Sequence, residues 1–226
     1  MLHLPDPVGA WRRLHEQQER LRVYMQGKRE VRFTAPANDG RSGEGGVGVG
    51  VGRRHEGTDL TVDVSGRMWI NCAGGENFPD GEVFTGPRGV EGVVNFTHPA
   101  VYRGCVVEGV RLRFRAGRVV EASATTNEEY LIAMLDQDEG ARNAGEIAIG
   151  TNYELTRFTG NTFFDEKIGG TFHIAAGAGY PATGNCNESG LHWDMVCDLR
   201  RGGTIHADGE LVQRDGRFVF EGWPGR

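Results

Sequence analysis

The chain has 226 residues, enough for a single domain to bury a large apolar core without help from disulfides. Its 31 acidic residues outnumber 25 basic ones, and the resulting formal charge of -6 opposes binding to nucleic acid or any other polyanion unless the basic groups share one surface. They do not: Arg12, Arg13, Arg20, Arg22, Lys28 and Arg29 are interleaved with glutamates, as on a solvated helix face, and no apolar run approaches membrane-spanning length.

The first predicted element is a helix. Asp6 can accept hydrogen bonds from its orphan amides and Pro7 suits its first position; it runs to about Gly27, with Trp11, Leu14, Leu21 and Met25 as its packed stripe. Residues 1–30 are thus read as an N-terminal linking helix. Residues 31–57 are read as a flexible, glycine-rich segment, because the run APANDGRSGEGGVGVGVG from Ala35 to Gly52 is costly to order and offers few side chains to bury. From Thr58 onward, residues 58–226 form the main domain, made of short runs of valine, isoleucine, phenylalanine and threonine. Turns at Ser65-Gly66, Ala116-Gly117 and Asp215-Gly216 punctuate these runs and predict strands. The segments VRLRFRAGRVVEASA and HADGELVQRDGRFVF alternate on both sides of a glycine turn, as hairpins with one buried face do. One further helix is predicted in NEEYLIAMLDQDEGAR, with Asn127 as its cap, glutamates in its first turn and Gly140 near its end. The fold class is therefore α+β, a strand-rich mixed domain with few helices.

Cys72, Cys105, Cys186 and Cys197 include no pair at the two-residue separation of structural zinc sites, so buried free thiols are expected. The start MLHLPDPVGAWRRLHEQQ lacks the pattern of a secretory signal. Together these point to a reducing, cytoplasmic setting and to no membrane association.

The chemistry concentrates late in the chain. In LHWDMVCDL, His192 and Asp194 are separated by one residue in a strand-like context, which puts both on one face. An imidazole nitrogen and a carboxylate oxygen pointing the same way suit zinc, cobalt or manganese, whereas magnesium prefers oxygen alone. Taken alone, such a pair is more often an incidental surface or hydrogen-bonded pair. Further ionisable groups sit in apolar or glycine-rich segments: Glu82, Glu146, Asp165, Glu166, His173 and Tyr180. Buried charges need partners, and a divalent cation can serve several at once. Local ion pairs are the competing reading, with Lys167 serving Asp165 or Glu166. No Gly-x-Ser-x-Gly element, HExxH helix or phosphate-cradling loop is present, which disfavours serine hydrolase, thermolysin-like and nucleotide-dependent chemistry.

The segments EGTDLTVDVSGRMWINCAGGENFPDGEVFTGP, GEIAIGTN, FFDEKIGGTFHIAAGAGYP and LHWDMVCDLR resemble the catalytic C-terminal domain of the thermophilic-type metallo-aminopeptidases, the aminopeptidase T and aminopeptidase S family. The resemblance runs in order from about Asp6 to Phe220. It implies a peptide hydrolase that removes N-terminal residues from peptides, using a two-metal site and activated water. The cofactors it implies are two divalent metal ions: zinc, cobalt, magnesium or manganese. Glu82 resembles the first metal-binding carboxylate, and Glu146 the one lying between the ions. Glu166 and His173 resemble ligands of the second ion, and His192 with Asp194 the terminal ligand pair. Tyr180 resembles a tyrosine beside the metals that binds an ion or donates to the developing oxyanion; Glu146 or Glu82 would carry the proton to the leaving amine. The implied partners are peptides with a free N-terminus and a second copy of the chain, as a homodimer. The family's separate N-terminal domain is expected to be missing here, which leaves a catalytically silent or partner-dependent metal-binding remnant as the alternative.

Overall fold

The structure is a computed structural model that describes residues 5–37, 57–75 and 77–223. Helix α1, Pro7–Gln26, starts where the sequence predicts, with the Asp6 carboxylate accepting from the Gly9 amide at 2.8 Å. It buries Ala10, Leu14, Gln18, Leu21 and Met25, while Trp11 lies at the edge of that stripe with its ring centre 5.4 Å from that of Phe78. Strand β1, Glu30–Ala35, corrects the expectation of a flexible segment over 31–57. Within EVRFTA the alternation of exposed Glu30 and Arg32 with fully buried Val31 and Phe33 makes a strand of the residues just before the glycine run. Residues 38–56, with the glycine-valine run, lie outside the described residues.

The chain continues through β2 (Thr58–Asp63), β3 (Ile70–Cys72), β4 (Glu82–Thr85), β5 (Gly89–Asn95), β6 (Ala100–Tyr102) and β7 (Cys105–Val107). Next come β8 (Arg111–Arg115), β9 (Arg118–Ser123), helix α2 (Glu128–Leu135), β10 (Ala144–Gly150) and a short helix α3 (Thr162–Asp165). Strands β11 (Thr171–Gly177), β12 (His192–Asp198), β13 (Thr204–Ala207), β14 (Glu210–Arg214) and β15 (Arg217–Phe218) complete it. Both expected hairpins form, β8 with β9 and β14 with β15, and each turns on a residue pair with positive φ, as two-residue hairpin loops require.

Helix α2 departs from expectation at both ends. Asn127 is left-handed, and its side-chain amide donates to the Val106 carbonyl instead of capping the helix. The helix stops at Leu135, well short of Gly140, because Asp136 and Asp138 turn to other partners: Asp136 to the Arg142 guanidinium, and Asp138 to Ser189 and the Gly190 amide.

The strands form an eight-stranded sheet, ordered β15-β14-β13-β1-β2-β5-β8-β9, and a five-stranded sheet, ordered β12-β11-β10-β4-β3, with β6 and β7 as a separate ribbon. Every named strand pairing is antiparallel. The two sheets share one core: Phe33 of β1 stacks on Phe172 of β11 with ring centres 4.4 Å apart. All four cysteines are free; Cys72 and Cys197 are buried as expected, but Cys105 is half-buried and Cys186 exposed. Among the described residues no helix is long and apolar enough to cross a membrane.

Candidate metal centre

Strand alternation decides what the five-stranded sheet offers on each face. Val83, Ile147, Ile149, Phe172, Ile174, Trp193 and Met195 point into the shared core. Their immediate neighbours point the other way, so Glu82 of β4, Glu146 of β10, His173 of β11, and His192 with Asp194 of β12 meet on the outward face. Local backbone features aim two of them. Gly81 has φ +139°, and a Cβ there would fall 2.5 Å from Cβ of Asn152, so only glycine lets the chain enter β4 at Glu82. A bulge between Ala144 and Glu146 shifts the register against β11 and re-aims the Glu146 side chain. Glu166 arrives from the end of α3. It can come close because Gly150, opposite Glu82, has no side chain: a Cβ there would lie 2.1 Å from the Ile168 carbonyl oxygen.

The convergence is tight. His173 Nε2 lies 3.4 Å from Glu82 Oε2, 3.5 Å from Glu146 Oε1 and 3.7 Å from Asp194 Oδ1. His192 Nε2 lies 3.4 Å from Glu146 Oε2 and 3.6 Å from Asp194 Oδ1. These separations are long for charge-assisted hydrogen bonds. They match donor atoms placed around a common point, since tetrahedral ligands about 2 Å from a shared ion sit about 3.3 Å apart. Among the described residues four trios could each hold an ion: three overlap on this face, namely Glu82, Glu146 and His173; Glu146, His192 and Asp194; and Glu166, His173 and Asp194; the fourth, Cys72, Asp80 and Glu82, lies beside them. Among the described residues Glu82 Oε2 and Asp194 Oδ1 are buried acceptors with no hydrogen-bond donor, so the donor set fits divalent cations. His192 is preset for that role, because its Nδ1–H donates to the Ala178 carbonyl at 2.9 Å and turns Nε2 toward the carboxylates.

Lys167 sits among these groups, its side chain 1% exposed, with its ammonium paired to Glu82 and, at 2.6 Å, to Glu166. Among the described residues four carboxylates thus face one ammonium and two imidazoles, leaving three negative charges when every carboxylate is ionised and the imidazoles are neutral. Burial disfavours a charged His173, yet the nearby Glu146 carboxylate and the charges of Glu82, Asp194 and Glu166 push it up to about 9. Burial likewise opposes charge on His192, but Asp194 and Glu146 raise it to about 10. Burial would lift Glu146, and the two imidazoles bring it down to about 2 instead. Burial raises Glu82 against the pull of Lys167 and His173, and burial with the charges of Asp194 and Glu82 raises Glu166 to about 8. Lys167 stays firmly protonated, because the paired carboxylates outweigh its burial.

All six expected ligands therefore come together, and Tyr180 stands beside them, its ring centre 5.3 Å from that of His192 and 5.1 Å from that of Phe84. Asp165 does not join: its Oδ1 accepts from the amide and hydroxyl of Thr159. Of the two ion pairs weighed for Lys167, the one with Glu166 forms and the one with Asp165 does not; the partner that sequence reasoning missed is Glu82. Cys72 and Asp80 were also missed as neighbours of Glu82. Cys72 stands opposite it in the β3–β4 register, while both oxygens of Asp80 accept from loop amides, at Gly74 and Gly81.

Comparison with known proteins gives a consistent picture. The family model described as thermophilic metalloprotease (M29) matches residues 48–218. Aminopeptidase 2 of Geobacillus stearothermophilus is 30% identical, the match covering 96% of this chain and 55% of that protein. Aminopeptidase T of Thermus thermophilus is 36% identical, over 90% of this chain and 48% of its own length. The structure of wild-type AmpT from Thermus thermophilus superposes with a TM-score of 0.76 at 28% identity, covering 95% of this chain and 56% of that one. The chain thus spans about half the length of the curated relatives it matches.

Proposed function

Because the chain belongs to the thermophilic metalloprotease (M29) family, we propose that it is a metal-dependent aminopeptidase, a hydrolase that takes single residues from the free N-termini of peptides. The observation that carries this reading is the convergence of Glu82, Glu146, Glu166, His173, His192 and Asp194 into overlapping trios on one sheet face. These six residues would hold two divalent cations, with Glu146 shared between them. The mixture of imidazole and carboxylate donors favours zinc, cobalt or manganese over magnesium. Bound divalent cations supply Lewis acidity, which polarises a scissile carbonyl and makes water acidic enough to ionise near neutral pH.

The chain's own groups do the rest. Among the carboxylates, Asp194 has the most exposed side chain, at 13%, and His192 is 29% exposed, so the mouth of the site lies on the β12 side. Tyr180 stands at that mouth, where burial and the carboxylates Glu146 and Asp194 hold its phenol well above its ordinary pKa. It stays protonated at neutral pH and can donate its O–H to an oxyanion forming on the substrate. The excess of carboxylate at this largely buried site suits a substrate's α-ammonium group, which selects chain ends over internal bonds. Glu146 or Glu82 carries the proton to the leaving amine. A cytoplasmic setting is supported by four free thiols. Homodimer formation is part of the same proposal, with analytical ultracentrifugation of the full chain as its check.

The test combines metal analysis of chelator-free protein with hydrolysis of leucyl and arginyl chromogenic amides, before and after addition of zinc, cobalt or manganese. Stoichiometric metal with turnover supports the proposal. Metal without turnover in any ion favours the second reading, a partner-dependent or catalytically silent metal-binding unit, which the half-length match to the relatives motivates. Absence of stoichiometric metal would rule out both.

A further inference from the structure

Helix α1 carries a fully buried glutamine in the middle of its apolar stripe, flanked by Leu14 and Leu21. Buried polar side chains need partners, and those of Gln18 lie on the five-stranded sheet. Its Nε2 donates to the Cys72 carbonyl at 2.7 Å and to the Glu82 carbonyl at 2.8 Å, with Asn71 Oδ1 at 2.9 Å as a third acceptor. Cys72 and Glu82 face each other across β3 and β4, at the point where that pairing ends and the chain leaves β3. One primary amide, with two hydrogens, therefore bridges both strands where the ladder stops.

The same helix braces β3, the edge strand of its sheet, a second time. Gln26 Nε2 donates to the Arg67 carbonyl at 2.9 Å, and Gln26 Oε1 accepts from the Trp69 amide at 3.1 Å. These two clamps differ in one respect. The Gln26 contacts end on the backbone leading into β3, whereas the Gln18 contact ends on the peptide of Glu82 itself.

We infer that Gln18 is a positioning residue for the metal centre: by fixing the Glu82 peptide at the open end of the β3–β4 pair, it sets the direction of the Glu82 carboxylate toward His173. A ligand carboxylate must be held to a few tenths of an ångström, and Glu82 sits at the first residue of its strand, where one neighbouring strand has just ended. Nothing else on α1 donates a hydrogen bond to Glu82 among the described residues. The inference rests on the proposed reading of Glu82 as a metal ligand.

The experiment is calorimetric titration of zinc, and separately cobalt, into the chelator-stripped full chain as wild type, Gln18→Met and Gln26→Met. Gln18→Met keeps the length and lacks the donors, and it should weaken one of the two cation sites at least tenfold while leaving the other near its wild-type affinity. Gln26→Met removes the companion clamp and should lower the unfolding midpoint without changing either affinity. If Gln18→Met does not fold, Gln18→Asn, which keeps the amide but withdraws it by one methylene, should give the same loss in smaller measure. Wild-type affinities in the folded Gln18 variant, or an equal loss in Gln26→Met, overturn the inference. Failure of the wild-type chain to take up any cation overturns the metal reading itself, and this inference with it.

Discussion

The two faces of the five-stranded sheet are built from alternate residues of the same strands, yet they obey opposite rules. Inward, Val83, Ile147, Ile149, Phe172, Ile174, Trp193 and Met195 join the core and supply apolar burial. Outward, one residue along each strand, Glu82, Glu146, His173, His192 and Asp194 bring like charges together in a buried site at a cost in stability. The contrast teaches that the inward face holds the outward one in a geometry it would not choose alone. Substitutions one residue apart should therefore separate stability from chemistry.

The sharpest division should come at adjacent residues of β10. Glu146→Gln should lower hydrolysis about a thousandfold or more, equivalent to roughly 4 kcal/mol of transition-state stabilisation, while the chelated protein loses only the pH-dependent stability that Glu146 shares with His173 and His192. Ile147→Ala should do the reverse: about 2–5 kcal/mol of stability lost in denaturant titrations, with metal stoichiometry intact. If both variants lost stability and metal together, the division between the faces would fail.

A second break lies at Lys167. Replacing it by methionine leaves Glu82 and Glu166 buried without their ammonium partner, which should destabilise the chelated protein by about 3–5 kcal/mol. Added zinc should restore much of that loss, because the cation then balances the same carboxylates. Thermal melts with and without metal check this; a loss equally large in both would assign Lys167 a packing role only.

The pH dependence sharpens the comparison further. His173 and His192 are raised from 6.5 to about 9 and about 10, so their contribution to stability is fully present below pH 6.5 and lost as pH rises through that range. Glu146 is depressed from 4.5 to about 2, so its contribution is present above pH 4.5 and lost as pH falls toward 2. Chelated protein should accordingly melt at progressively lower temperature between pH 7 and 10. Divalent cations compete with those protons, so the metal-induced rise in melting temperature should grow over the same interval. A metal effect independent of pH would place the cations away from these imidazoles.

The smallest effect is expected on the solvent side of the eight-stranded sheet. There Arg32 and Asp59 form an exposed ion pair at 2.7 Å. Arg32→Ala should leave both the unfolding midpoint and metal binding at wild-type values, because water screens such pairs.

Much of this was legible in the sequence, for physical reasons that also mark where legibility ends. The start of α1 and the two hairpins depend on local chemistry, a cap residue and turns with positive φ, which single segments carry in full. The His192 and Asp194 pair was readable because strand alternation forces both onto one face. Assembly of the six ligands is a tertiary event spanning Glu82 to Asp194, so only the resemblance of long ordered motifs pointed to it. Strand β1 was obscured by the glycine-rich run beside it, although its own alternation was present. The end of α2 was set by distant partners of Asp136 and Asp138, which no local pattern reveals. Gln18 left a signal that went unread: a polar residue centred in an otherwise apolar helical stripe.

The most direct check is the anomalous scattering of crystals of the full chain grown with zinc or cobalt, measured on both sides of the metal's absorption edge. Two strong peaks are expected between β4, β10, β11 and β12, one near Glu82 and His173 and one near His192 and Asp194, with Glu146 reaching both. Peaks located elsewhere, or a site filled only by Lys167 and the imidazoles, would contradict the assignment of this sheet face to metal chemistry.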